Sequence, residues 1–214
     1  MDPLPYLIAV TGSFGTGKNL VGDILKDLGF FVIDTDDVVR DILKDKNKVT
    51  DEIVKEFQES IINQLQGSKD SYIDRKALGN IVFNNEVKRK KLESIIHPQV
   101  RENLNKLFSL NKDKKIIFVL IPLLFEGNLQ DSYHETWCVV CDENIQLDRL
   151  KNKGYSLGDA KVRIKSQFTQ AEKARRADFV IDNSKDKTST KEQVINRLKF
   201  LAESNRNLHA SFYK

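Results

Sequence analysis

The stretch VTGSFGTGKNLV, residues 10–21, contains the pattern G-x-x-x-x-G-K, with Gly12, Gly17 and Lys18 in the fixed places. Glycines at this spacing let successive backbone N–H groups turn inward around phosphate oxygens, and a helix that follows adds its positive end. Gly12, Ser13, Phe14, Gly15, Thr16, Gly17, Lys18, Asn19 and Leu20 are therefore the candidate nucleotide-binding residues, with Lys18 reaching the outer phosphates. A strand pattern precedes Thr11 and an amphipathic helix pattern follows Lys18, as this chemistry requires. The place after the lysine is normally Ser or Thr, whose hydroxyl contacts Mg²⁺; here it is Asn19. An amide oxygen is also a hard neutral ligand. It lies one bond further from Cβ, so Asn19 meets a metal either from a shifted position or through a water. The reading is retained nucleotide binding with altered metal coordination at Asn19.

A group bound there needs somewhere to go. The run VIDTDDVVR places Asp34, Asp36 and Asp37 just past the end of a strand, in the crevice where such sheets bind ligands. One carboxylate at that point can orient, and help deprotonate, an attacking hydroxyl. Asp36 or Asp37 could equally be the N-cap of a helix that starts before Val38 and Val39.

The elements that must position these groups read as alternating strands and helices. YLIAVT (6–11), FFVID (30–34), KIIFVLI (115–121), TWCVVC (136–141) and DFVID (178–182) are apolar without alternation, as in parallel strands covered on both faces. Leu20, Val21, Ile24, Leu25 and Leu28 form a helical stripe that Gly29 ends. Val49, Ile53, Val54, Phe57, Ile61, Ile62 and Leu65 form another. A third runs through Val87, Leu92, Ile95 and Ile96 and continues at Val100, Leu104, Leu107 and Phe108, with a break expected at His97 and a new helix opening at Pro98. Thr190 with Gln193 reads as a capping box before Val194, Leu198 and Leu201. This is a doubly wound α/β pattern. About eighty residues separate the second and third strands, far more than a crossover needs. The excess, 37–113, reads as a helical lobe, and 142–177 as a second, shorter attachment with Asp142, Ser156 and Thr169 as N-caps and a run of basic residues.

Composition agrees with one sizeable core. The 214 residues are 40% hydrophobic and 31% charged, with a net charge of +4 that suits a phosphorylated small substrate without demanding nucleic acid. The longest apolar runs are too short for a membrane span, and MDPLPYLIAVTGS lacks the basic start of a secretory leader. A cytoplasmic location is expected. Cys138 and Cys141 are spaced C-x-x-C, but zinc needs about four ligands, and a strand points them to opposite faces; they read as buried structural thiols.

Taken in order, VTGSFGTGK, VIDTDDVVR, IDRKALGNIVF, LESIIHP, IPLLFE, QLDRL and ADFVIDN resemble the dephospho-CoA kinase family over about residues 7 to 200. The loop is widely shared; the combination of DR..L...VF, LE.IIHP and PLLFE is far more specific. The resemblance implies a P-loop NTPase fold with a five-stranded parallel sheet in the order 2-3-1-4-5. It implies transfer of the γ-phosphate of ATP, with Mg²⁺, to the ribose 3′-hydroxyl of dephospho-CoA. It places the catalytic aspartate on Asp36 and a substrate-phosphate contact on Arg40. The nucleotide-binding core becomes 1–36, 114–141 and 178–203, the dephospho-CoA lobe 37–113, the lid 142–177 and the C-terminal tail 204–214. Beside that resemblance, Arg75 reads as a substrate contact or surface ion pair. His97 reads as a helix-junction residue able to touch substrate. Pro122, with Leu123 after it, turns the chain beside the loop. Glu126 either organises a metal water or pairs with a cation. Arg149 and Arg163 are the lid residues suited to neutralising transferred charge. The family commonly has arginine four residues after Arg149, where this chain has Lys153, which keeps charge but loses two-pronged geometry.

Other readings stay open at this stage: a nucleoside monophosphate-type kinase, a weakly active or non-catalytic binder of CoA precursors, or a nucleic-acid NTPase. The basic run at 161–176 has only Phe168 as an interleaved aromatic, which gives little for bases to stack on. No N-K-x-D motif for guanine is present. The expected partners are ATP and dephospho-CoA, with no nucleic acid and no membrane, in a monomer or weak oligomer.

Overall fold

The apolar runs form strands β1 (Tyr6–Gly12), β2 (Phe31–Asp34), β3 (Ile116–Leu120), β4 (Glu135–Val140) and β5 (Phe179–Asp182). They join in one parallel sheet in the order β2-β3-β1-β4-β5. The computed structural model describes residues 5–58, 61–62, 72–83 and 85–205. The expected Leu65 and most of the expected tail, 206–214, lie outside them.

The helices are α1 (Lys18–Asp27), α2 (Thr35–Ile42), α3 (Lys48–Phe57), α4 (Arg75–Phe83), α5 (Glu86–Leu110), α6 (Glu143–Asn152), α7 (Leu157–Lys165), α8 (Gln170–Arg176) and α9 (Lys187–Ser204). Among the described residues, no helix is long and apolar enough to cross a membrane.

The chain divides into two compact units, one reaching to Asp34 and resuming at Asn111, the other Thr35–Leu110. The first contains the sheet. One sheet face, with Ile8, Val10, Phe118, Leu120, Trp137 and Val139, packs on Val21, Ile24 and Leu25 of α1 and on Val194, Leu198 and Leu201 of α9. The alternate residues Ala9, Ile117, Val119 and Cys138 are fully buried too, and α8 lies against β1 and β4. Burial on both faces is the reason these strands are apolar throughout. Gly29 ends α1 with φ 85; its N–H donates to Lys26 O at 2.9 Å and Phe30 N–H to Leu25 O at 3.0 Å, closing a Schellman motif.

The second unit has its own core, with Leu43, Ile53, Phe57, Ile61, Ile73, Leu78, Ile95 and Ile96. The long helix α5 contacts α2, α3 and α4.

Several local expectations are corrected. No break occurs at His97: α5 continues through Pro98. Proline removes one helical N–H, but Ile95 and Ile96 before it and Leu104 after it are buried, and packing on both sides holds the helix. The stripe from Val49 does not continue as helix to Ile62. Gln58 takes φ 76 and α3 stops; Ile62 instead bridges antiparallel to Ile73, and Ile61 is buried. Helix α9 starts before Thr190, capped by Asp186, whose side chain accepts from Ser189 N–H. Gln193 turns to β5 instead. Its side chain accepts from Asp182 N–H at 2.9 Å and donates to Asp182 O at 2.7 Å, closing the open edge of that strand. Ser156 and Thr169 cap α7 and α8 with their hydroxyls, whereas Asp142 stands before α6 without a side-chain cap bond.

Both cysteines are free and buried. Burial pushes the Cys138 thiol up to about 12 and also raises that of Cys141. Only the thiolate reacts, so native protein at pH 8 is expected to leave a thiol reagent unconsumed, and denatured protein to release two equivalents. The raised values hold both thiols neutral in the fold. Their contribution to stability is complete below the unfolded value of about 8.5 and is lost as pH climbs through the folded one.

Candidate active site

The phosphate loop leaves β1 at the middle of the sheet. Thr16 N–H and Thr16 Oγ1 both donate to Ser13 O, at 3.1 and 3.0 Å, which folds the loop into a tight turn. Helix α1 begins at Lys18, with Gly17 as N-cap at φ 104 and no side-chain cap bond. A helix start without a side-chain cap offers its first N–H groups to an anion. The glycine is required twice over. Its φ is left-handed, and a Cβ built there would stand 2.0 Å from Asn183 Nδ2. Gly17→Ala is expected to cost about 2–4 kcal/mol, combining left-handed strain and a displaced buried hydrogen bond. The check is a melting temperature lower by roughly 5–15 °C, together with loss of ATP binding.

Lys18 is buried, and its ammonium lies 3.6 Å from the Asp34 carboxylate at the end of β2. Asn19, next in the helix, is exposed. The three acids after Ile33 therefore have different surroundings. Asp34 ends the strand, while Asp36 and Asp37 stand exposed in the first turn of α2. The helix starts at Thr35, earlier than the expected caps, so both aspartates lie inside the turn, where their charge still favours the helix N-terminus. Arg40, one turn on, is exposed and ion-paired with Asp37.

The segment between β4 and β5 reaches the loop at several points. Arg149 on α6 donates to Thr16 O at 3.3 Å and to Asn183 O at 2.9 Å. Asn183, buried just after β5, donates to Thr16 O at 2.8 Å and accepts from Thr190 Oγ1 at 2.9 Å. Phe14 is held on both sides: Gln167 Oε1 accepts its N–H at 2.9 Å and Gln146 Nε2 donates to its carbonyl at 2.6 Å. The Arg163 guanidinium is 5.4 Å from the Phe14 ring and 5.1 Å from that of Tyr155, a cation–π arrangement. Sequence reasoning misses Asn183, Gln146 and Gln167. Asn183 closes the motif ADFVIDN and was the findable one. Gln146 lies in the polar helix α6 and Gln167 in the turn after α7, with no local signal at either.

Pro122 follows β3, and its carbonyl accepts from Thr11 Oγ1 at 3.2 Å. Leu123 is exposed. Glu126 pairs with the buried Lys173 at 3.0 Å, the cation-pairing alternative of the two expected. In the helical unit, Arg75 opens α4, where the Asp74 carboxylate caps through Lys76 and Ala77 N–H. Arg75 and His97 are both exposed. Lys153 is the C-cap of α6.

Such a loop, with a lysine at the helix start and basic side chains gathered over it, can cradle a polyphosphate and neutralise charge on its outer group. Known proteins agree with this chemistry. The family model for dephospho-CoA kinase matches residues 6–189. The dephospho-CoA kinase of Oceanobacillus iheyensis is 40% identical over 198 residues, covering 91% of this chain and 97% of its own. That of Staphylococcus haemolyticus is 39% identical over 194 residues, covering 89% and 93%. Among solved structures, dephospho-CoA kinase from Campylobacter jejuni superposes with TM-score 0.66 at 31% identity, covering 93% of this chain and 98% of that one. A Thermus thermophilus protein superposes with TM-score 0.80 at 27% identity, covering 95% and 100%. Shikimate kinase from Acinetobacter baumannii, at TM-score 0.51, 15% identity and 95% and 96% coverage, shares the fold. With the loop, the sheet order and matches over most of its length, this chain belongs to the dephospho-CoA kinase family.

Proposed function

We infer that the residues around the phosphate loop carry the family's reaction, ATP-dependent phosphorylation of dephospho-CoA, at its ribose 3′-hydroxyl, to give CoA and ADP. The observation that carries this is the buried Lys18 at the start of α1, beside Asp34 at the end of β2. The loop 12–20 binds the phosphates of ATP through its main chain. Lys18 neutralises charge on the group in flight. Asp36 orients the attacking hydroxyl and accepts its proton. Arg149 and Arg163, on the segment 142–177 read as a lid, offset charge on the phosphates. Arg40, Arg75, His97, Pro122 and Leu123 contact dephospho-CoA, for which the helical segment 37–113 supplies the binding lobe.

Magnesium fits the donor set. Asn19 offers an exposed hard oxygen in the first turn of α1, suited to Mg²⁺ directly or through water. When bound with ATP, the ion offsets phosphate charge.

The testing experiment is a coupled assay with ATP and Mg²⁺, offering dephospho-CoA, AMP and CMP as acceptors. ADP release with dephospho-CoA alone is expected. Turnover with AMP or CMP at a comparable rate sinks the assignment of the acceptor in favour of a nucleoside monophosphate-type kinase.

A further inference from the structure

Lys173 on α8 is fully buried, although an ammonium taken out of water costs several kcal/mol unless it is paired and hydrogen-bonded. Its Nζ donates to Pro122 O at 2.6 Å and lies 3.0 Å from Glu126 Oε1. The same Glu126 oxygen accepts Phe168 N–H at 2.8 Å. Phe168 O in turn accepts the Ser13 hydroxyl at 3.2 Å. The Pro122 carbonyl, shared with Lys173, also accepts the Thr11 hydroxyl at 3.2 Å. From one cation, two chains of bonds thus end on Thr11, which leads into the phosphate loop, and on Ser13 within it. The neighbouring Gln167 holds Phe14 N–H, so consecutive residues 167–168 grip consecutive loop residues 13–14.

A buried ion pair is poor evidence of stabilisation, since apolar residues of similar volume often serve as well; its attested use is to specify one arrangement. Here that arrangement is the entry to the loop. We propose that Lys173, acting with Glu126, is a positioning residue for phosphoryl transfer: through Pro122 and Phe168 it fixes Thr11–Phe14, so that the loop's N–H groups converge on the phosphates of ATP. It touches neither substrate. This rests on the reading that the loop binds ATP, which Lys18→Met tests separately: a Lys18 variant with wild-type ATP kinetics defeats that reading, whereas failure of the Lys173 test alone defeats only this one.

The test uses full-length Lys173→Met, the paired Lys173→Met/Glu126→Gln, and Ser13→Ala alone and combined with each. Each is assayed with ATP and dephospho-CoA varied in turn, and each is melted. Lys173→Met is expected to raise KM for ATP about tenfold, the equivalent of about 1.4 kcal/mol, leaving KM for dephospho-CoA within about twofold. The paired variant carries no uncompensated charge. Its melting temperature should return towards the parent's while KM for ATP stays raised. Ser13→Ala should add nothing to KM in a background where its anchor is already loose. A paired variant with parental KM for ATP, an equal rise in both KM values, or full additivity with Ser13→Ala overturns the proposal. If Lys173→Met does not fold, the paired variant decides by the same comparison; if neither folds while Ser13→Ala alone has parental KM for ATP, the network is structural only and the proposal falls.

Discussion

Lys18→Met is expected to lower kcat/KM for ATP by about 10²–10³-fold, the loss seen when one preorganised charge or donor leaves a water-excluded site. The side chain is buried, where an ammonium acts on phosphate with little screening. The substitution also leaves the Asp34 carboxylate, 11% exposed, without the cation 3.6 Å away. That separation is beyond a hydrogen bond, so the stability cost falls at the low end of the range for broken buried pairs, about 3 kcal/mol. The two effects separate in Lys18→Met/Asp34→Asn. Urea midpoints should recover in the double variant, because no buried charge is left over. The rate should not recover, because the phosphoryl group still lacks its cation. Recovery of the rate would show that Lys18 matters only as a counter-charge to Asp34.

Asp36→Asn is expected to leave folding almost unchanged and to reduce kcat by about 10²–10³-fold. General-base catalysis is worth about 10²–10⁴-fold in general, and the loose transition state of phosphoryl transfer asks less of the base, which sets the lower part of that range. The stability side is small. Asp36 is exposed in the first turn of α2, and a surface carboxylate there is worth about 0.3–1 kcal/mol with the helix dipole. The measurement pairs melting temperature with single-turnover rate at saturating ATP and dephospho-CoA. A variant with normal kcat would move the role of the base to another acid, with Asp34 the first to examine.

The central strands β1, β3 and β4 were legible because side chains on both of their faces are buried, which leaves them largely apolar; the edge strand β5 was legible from its run of Phe, Val and Ile, although Val180 and Asp182 are exposed. The phosphate loop was legible because its backbone chemistry demands glycine at fixed places. Local stops were harder. Pro98 carries the usual sign of a helix end, yet the buried Ile95, Ile96 and Leu104 outweigh it. Gln58 carries no sign at all, although its left-handed φ ends α3. Thr190 and Gln193 have capping spacing, but Asp186 caps first, and the two polar side chains bond to Asn183 and Asp182 instead. Around the site, the residues proposed to meet phosphate were named from their type. Asn183, Gln146 and Gln167 bond to the loop across long chain separations; Asn183 alone closes a recognisable motif, and no local pattern encodes the two glutamines.

The place of β1 has a consequence for how the protein fails on warming. Its residues from Ile8 to Val10 are bonded to β3 on one side and β4 on the other, whereas β2 has four residues and a single neighbour. Amide exchange should therefore be slowest at the root of the cradle and faster at the rim strand that ends in Asp34. Sub-denaturing heat would loosen the strand that brings Asp34 beside Lys18 while the glycine turn still stands, so the proposed cradle would outlast the rim strand that leads to Asp36.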